Sequence, residues 1–180
     1  MDLIITTATK KDERSLRTRT VPFDFSKAGK GEVRELLRRM REAMREANGI
    51  GLSANQIGLL WRVFVAQVPD GEGKLKRYAI FNPELSKHSK ETETLEEGCL
   101  SVPTTWGLVE RHYRLTLTGQ DQNGKRVKIK AWGLLARVFQ HEVDHLDGKL
   151  FVDRAEKLHR VTSDRETSDK GRETRGQKRQ

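Results

Sequence analysis

Between Leu134 and Leu146 the chain sets apolar residues at helical spacing and threads His141, Glu142 and His145 through the same pattern. Leu134, Val138, His141 and His145 share one face, and Leu135, Phe139, Glu142 and Leu146 share the adjoining one. Such a helix is mostly buried, so the rest of the fold has to be built around it. Residues four apart on a helix point the same way. The two imidazoles of His141-Glu142-Val143-Asp144-His145 therefore converge where one metal ion fits, and Glu142 reaches a water at that metal.

Two histidines are an incomplete ligand set, and the third ligand decides the class. Gly148 stands where a metzincin would continue, but Phe151 occupies the position at which that class needs histidine. A metallopeptidase with a glutamate ligand would draw on Glu156, since Glu166 and Glu173 fall in a polar tail. Cys99, the single cysteine, is the remaining soft ligand. A thiolate with two imidazoles leaves a fourth position open, as catalytic sites do. A lone cysteine is equally at home as a small buried hydrophobe, so on spacing alone both third ligands stay open.

Elsewhere the pattern is readable in parts. Val33, Leu36, Leu37, Met40, Ala43, Met44 and Ala47 predict a helix over Glu32 to Ala47, stopped by Asn48-Gly49. Arg62 to Val68 and Arg77 to Phe81 predict a hairpin around Pro69-Asp70-Gly71. Tyr113 to Thr118 and Lys125 to Ala131 predict a second, closed by Asp121-Gln122-Asn123-Gly124. Residues 1–31 read as an irregular N-terminal arm, and 156–180 as a basic polar tail, largely disordered because no large apolar residue follows Val161. The expected fold is a single α+β domain over residues 1–155, with antiparallel strands packed around the buried helix that carries the histidines.

Charge and composition bound the partners. No stretch approaches the ~18 apolar residues of a membrane span, and Met1 to Arg14 lacks the apolar run of a signal peptide. One cysteine allows no internal disulfide, which suits a reducing compartment. The expectation is a cytoplasmic protein without membrane attachment. Of the formal net charge of +9, residues 1–48 carry +4 and 148–180 carry +4, while 49–120 sum to 0. Such flanks favour polyanions without specifying any chemistry.

Three segments stand together: Gly49-Ile50-Gly51-Leu52-Ser53-Ala54-Asn55-Gln56, Glu97-Gly98-Cys99-Leu100-Ser101, and Gln140-His141-Glu142-Val143-Asp144-His145-Leu146-Asp147-Gly148. In this order they resemble the three signature motifs of the peptide deformylases. The resemblance runs over roughly residues 30–155, including Asn82-Pro83-Glu84-Leu85 and Gly148-Lys149-Leu150-Phe151. It departs at Ser53, where the family usually has alanine; this hydroxyl is expected to tune loop packing.

The resemblance implies that Cys99, His141 and His145 bind one divalent metal and that Glu142 is the general acid/base. Iron(II) (Fe2+) is the implied native ion, with Zn2+, Ni2+ or Co2+ as substitutes. It implies that the Gln56 side-chain amide and the Leu100 backbone N–H stabilise the oxyanion. The substrate would pair as an extended strand beside Gly49, Ile50 and Gly51, its methionine side chain lying among Ile50, Leu95, Leu134 and Val138. Glu96 or Glu97 would accept a hydrogen bond from a metal-binding imidazole. The implied activity is hydrolysis of the formyl group from N-formylmethionyl nascent peptides, releasing formate. Ribosome contact through the basic termini and no stable DNA binding complete the expectation. The alternatives are a metallopeptidase using Glu156 and a non-catalytic deformylase-like protein that binds the ribosome.

Overall fold

The computed structural model describes residues 3–161. Both expected hairpins form. β2 (Val63–Pro69) pairs with β3 (Leu75–Ser86), and β6 (Arg114–Gln120) pairs with β7 (Arg126–Trp132). With the short β1 (Gly51–Ser53) they make one antiparallel sheet in the order β1-β2-β3-β6-β7. A second sheet holds β4 (Thr92–Cys99), β5 (Val102–His112) and β8 (Leu158–Arg160) in that order. The sequence reading left this second sheet unassigned. Glu93, Glu96, Glu97, Glu110 and Arg111 break up the apolar alternation by which a half-buried strand is recognised.

Two helices fill the space beside the larger sheet. α2 (Lys30–Glu46) begins and ends within two residues of expectation, and its apolar stripe packs with Leu52, Val63, Val65, Phe23 and Phe81. α3 (Gly133–Leu146) carries the histidines; Val138, Phe139, Val143 and Leu146 bury against Phe64, Ile80, Leu115 and Leu117 of β2, β3 and β6. Val109 of β5, Leu150 and Phe151 form a smaller cluster under the second sheet. The helix thus sits between sheets with apolar support on one side and charged partners on the other. Among the described residues no helix is long and apolar enough to cross a membrane.

The N-terminal arm corrects the expectation of an irregular segment. It contains α1 (Lys10–Leu16), started by Thr9, whose side chain accepts a hydrogen bond from the Asp12 N–H. Only Leu16 of this helix is buried, so no apolar periodicity advertised it. The arm then crosses the C-terminal end of α3. The Thr20 N–H and hydroxyl both donate to the Leu146 carbonyl at 2.9 Å, satisfying a helix-end acceptor that would otherwise be orphaned. Gly148, at φ 75°, closes the helix, and a Cβ there would run into the Arg17 main chain. Asn82, at φ 49° where β3 bulges, receives the Phe23 N–H on Oδ1 at 2.7 Å and donates through Nδ2 to the Phe23 carbonyl at 2.9 Å. The sheet therefore clamps the arm as well.

At the other end, Leu158–Arg160 pair with Thr105, Trp106 and Gly107 of β5. Ordered structure thus continues past residue 155. Residues 162–180, on which most of the expected tail falls, lie outside the described residues.

Candidate metal centre and active site

α3 supplies two ligand candidates at the depth the fold dictates. His145 is 1% exposed, and its Nε2 lies 3.1 Å from Cys99 Sγ. His141 sits one turn earlier, its ring centroid 4.9 Å from that of His145. Cys99 ends β4, where the register shifts as the chain turns into β5. One donor atom from each of Cys99, His141 and His145 falls within 4.8 Å of the others. The structure thus brings together the three residues singled out in the sequence.

Glu97, two residues before Cys99 on β4, accepts from His141 Nδ1 at 3.0 Å. Of the two glutamates considered for this contact, Glu97 makes it, whereas Glu96 lies 3.5 Å from His159 near the surface. With Nδ1 engaged by a carboxylate, the lone pair of His141 Nε2 is free to serve as a ligand. Glu97 is itself held by Arg111 Nε and Nη2 at 3.0 and 2.9 Å and by Arg137 Nη1 at 2.7 Å. Arg111 also donates to Asp144, which Arg154 grips through Nε and Nη2 at 2.9 and 3.0 Å. Burial pushes the Glu97 carboxyl up, but His141 and Arg111 outweigh it and hold the group well below the usual carboxylate range. The arginines were not anticipated. A signal exists in Val109 and Arg111, which alternate inward along β5, but it needs the strand to be recognised first.

The electrostatics of the donor set fit a cation. Burial opposes ionisation of Cys99, yet His145 and His141 bring its thiol well below the ordinary thiol range. Burial likewise disfavours charge on His141, but its bonds to Cys99 and Glu97 push it up to about 10. Cys99 and Glu97 flank His141, and these surroundings favour a positive charge between them. A divalent ion on the thiolate and the imidazole nitrogens satisfies the same demand with proton release. A soft thiolate with two imidazoles suits zinc, iron(II), nickel or cobalt alike.

Glu142 is buried beside β1. Burial raises its pKa, against the pull of His141, His145 and a hydrogen bond from Ser53. A Cβ on Gly51 would collide with Glu142 Oε1, which explains the glycine. Gln56 lies in the 3-10 turn Ala54–Ile57. Its Oε1 accepts from the Ser53 N–H at 2.8 Å, which fixes the amide so that Nε2 faces Ser101 Oγ at 3.1 Å and Cys99 Sγ at 3.7 Å. Asn55 Nδ2 donates to the carbonyls of His145 and Leu16 at 2.6 and 3.2 Å, tying this turn to α3 and α1.

These groups open onto a cavity of about 590 Å³. Gly49, Ile50, Gly51, Gln56, Cys99, Leu100, Leu134, Val138, His141 and Glu142 line it. Leu95, expected in the apolar pocket, does not: it pairs with Val109 and is 44% exposed. Leu95 shares a strand face with Glu97 and Cys99, but it stands further along β4 from the cavity, beyond the stretch Glu96 to Cys99 that lines it. Leu100 and Trp106 supply apolar wall instead. A Cβ on Gly49 would meet Leu100 Cδ1 at 2.6 Å, so that glycine keeps the two walls in contact.

Comparison with known proteins places these features in a family. Residues 5–161 match the sequence profile of polypeptide deformylases. A peptide deformylase of Desulforudis audaxviator is 42% identical over 129 residues, 72% of this chain and 81% of that protein. The peptide deformylase of Thermotoga maritima superposes with a TM-score of 0.77 at 36% identity, covering 87% of this chain and 99% of that one. A class I type b peptide deformylase from Acinetobacter baumannii with Met-Ala-Ser bound superposes with a TM-score of 0.76 at 30% identity, covering 86% and 99%.

Glu97→Gln removes the charge that orients His141 and leaves Arg111 and Arg137 under-compensated. The expected outcome is a protein whose affinity for zinc, measured by chelator competition, falls by roughly 10–100-fold. Unchanged affinity would mean that Glu97 does not orient the ligand.

Proposed function

This chain belongs to the peptide deformylase family and removes the formyl group from the N-termini of nascent polypeptides by metal-dependent hydrolysis; from that premise we propose how its own residues divide the work. Cys99, His141 and His145 hold the ion, which we take to be iron(II) in the native enzyme, with zinc, nickel or cobalt as substitutes. When bound, the ion supplies Lewis acidity that acidifies water and polarises the formyl carbonyl. The observation that carries the assignment is the convergence of these three donors within 4.8 Å, two of them, Cys99 and His141, on the wall of a cavity that Glu142 also lines.

Glu142 accepts the proton of the attacking water as the new C–O bond forms at the formyl carbon. The negative charge that develops on the carbonyl oxygen is met by the Gln56 amide and the Leu100 N–H. The orientation of Gln56 supports this role, since Ser53 already engages its Oε1 and leaves Nε2 as donor. Such a donor typically contributes ~2.7–4 kcal/mol to the barrier reduction. Glu142 then passes its proton to the leaving nitrogen, the C–N bond breaks, and formate departs.

The substrate lies extended beside Gly49, Ile50 and Gly51, its methionine side chain among Ile50, Leu100, Leu134 and Val138. Met-Ala-Ser bound to the Acinetobacter relative supports a site for a peptide beginning with methionine. A metallopeptidase using Glu156 has no comparable support, because that residue lies outside both the donor cluster and the cavity lining.

We further place the enzyme in the cytoplasm, in contact with ribosomal RNA through its basic termini. Lys157 and Arg160, exposed beside β5, and the basic residues of 162–180 are the contacts proposed.

Glu142→Gln is expected to retain the metal and to lose formate release from a formyl-methionyl peptide by at least about 100-fold. Undiminished turnover would remove Glu142 from the mechanism. Deleting residues 162–180, which leaves β8 paired, is expected to weaken ribosome co-sedimentation and flatten its salt dependence. Salt-insensitive binding unaffected by the deletion would contradict the RNA contact.

A further inference from the structure

Ser53, noted in the first motif as a departure from the resemblance, has surroundings that give its hydroxyl a specific task. It is fully buried at the end of β1, with its Oγ 2.8 Å from Glu142 Oε2 and 3.0 Å from the Glu142 main-chain carbonyl. The two oxygens of the carboxylate are thereby made unequal. Oε2 faces the Ser53 hydroxyl in the interior, whereas Oε1 lies against Gly51, which lines the cavity and has no Cβ to cover it.

A serine hydroxyl carries one proton, and of its two acceptors on Glu142 the carboxylate Oε2, charged and at 2.8 Å, takes it ahead of the main-chain carbonyl at 3.0 Å. A carboxylate oxygen that already accepts a strong hydrogen bond is the poorer of the two at taking up another proton. The same residue also gives its main-chain N–H to Gln56 Oε1, so one short strand registers Glu142 and Gln56 against each other.

We propose that Ser53 is a positioning residue: its hydroxyl holds Glu142 Oε2 and so fixes the carboxylate with Oε1 turned to the cavity as the proton-carrying oxygen. This deepens the reading of Glu142 as general base and rests on it. The serine, first expected only to tune loop packing, acts through Glu142 and does not touch the substrate.

Ser53→Ala is the direct test, because alanine is smaller and is the residue the family usually carries there. In the metal-loaded enzyme the expected result is a kcat lower by about tenfold, the scale of one hydrogen bond to a charged group. KM should stay within about a factor of two. A crystal structure of the variant should have the Glu142 carboxylate rotated or split over more than one orientation. An unchanged kcat, a change confined to KM, or a carboxylate in its original orientation each overturns the proposal. Glu142→Gln separates the two readings. If it is inactive while Ser53→Ala keeps full kcat, only the role of Ser53 falls. If Glu142→Gln is itself fully active, the general-base reading falls.

Discussion

Glu97 is the point on which the molecule turns. It accepts hydrogen bonds from His141 of α3, Arg111 of β5 and Arg137 of α3, and it belongs to the strand that ends in Cys99. Burying an ion costs several kcal/mol unless it is paired and hydrogen-bonded on most sides. Glu97 meets that condition, and Asp144 meets it with Arg111 and Arg154. The network spans β4, β5 and α3 and so ties the smaller sheet to the helix. The register that satisfies these charges is also the one that brings Cys99 beside His145. Fold and metal centre are specified by one set of contacts.

The far side of α3 is governed by different physics. There Val138, Phe139, Val143 and Leu146 bury on the larger sheet, a non-directional contact that decides which face of the helix turns inward. The ionic side adds directional contacts to that orientation, and the N-terminal arm closes on the end of the helix, on Leu146 through Thr20 and on Gly148 through Arg17. The arm thus contributes to the site without lining it. β1 adds the last constraint, since Gly51 and Ser53 contact opposite oxygens of the Glu142 carboxylate.

What could be read from the sequence follows from this division. Periodic apolar segments announced α2, α3 and both hairpins, and the histidine pair announced the centre, with Cys99 chosen over Glu156 as third ligand through the family resemblance. α1 was hidden because it buries one leucine, and β4 and β5 because their inward positions include Glu97 and Arg111. A buried ion pair reads in a sequence as two surface charges until its partner is placed opposite. Leu95 is absent from the cavity lining because the strand carries it past the stretch Glu96 to Cys99, a distance that only the placement of β4 reveals. Glu97 was foreseen as a partner for a ligating imidazole, but the arginines that make its burial affordable were not. The hydroxyl of Ser53 was noticed as a departure, while its bond to Glu142 depends on β1 lying against α3.

The central claim is that one thiolate and two imidazoles, brought together by the Glu97 network, hold the catalytic ion. X-ray absorption at the edge of the resident metal, recorded on anaerobically purified protein, tests it most directly. One sulfur scatterer together with imidazole nitrogens is the predicted first shell. A shell of nitrogen and oxygen alone, with no sulfur, would contradict it.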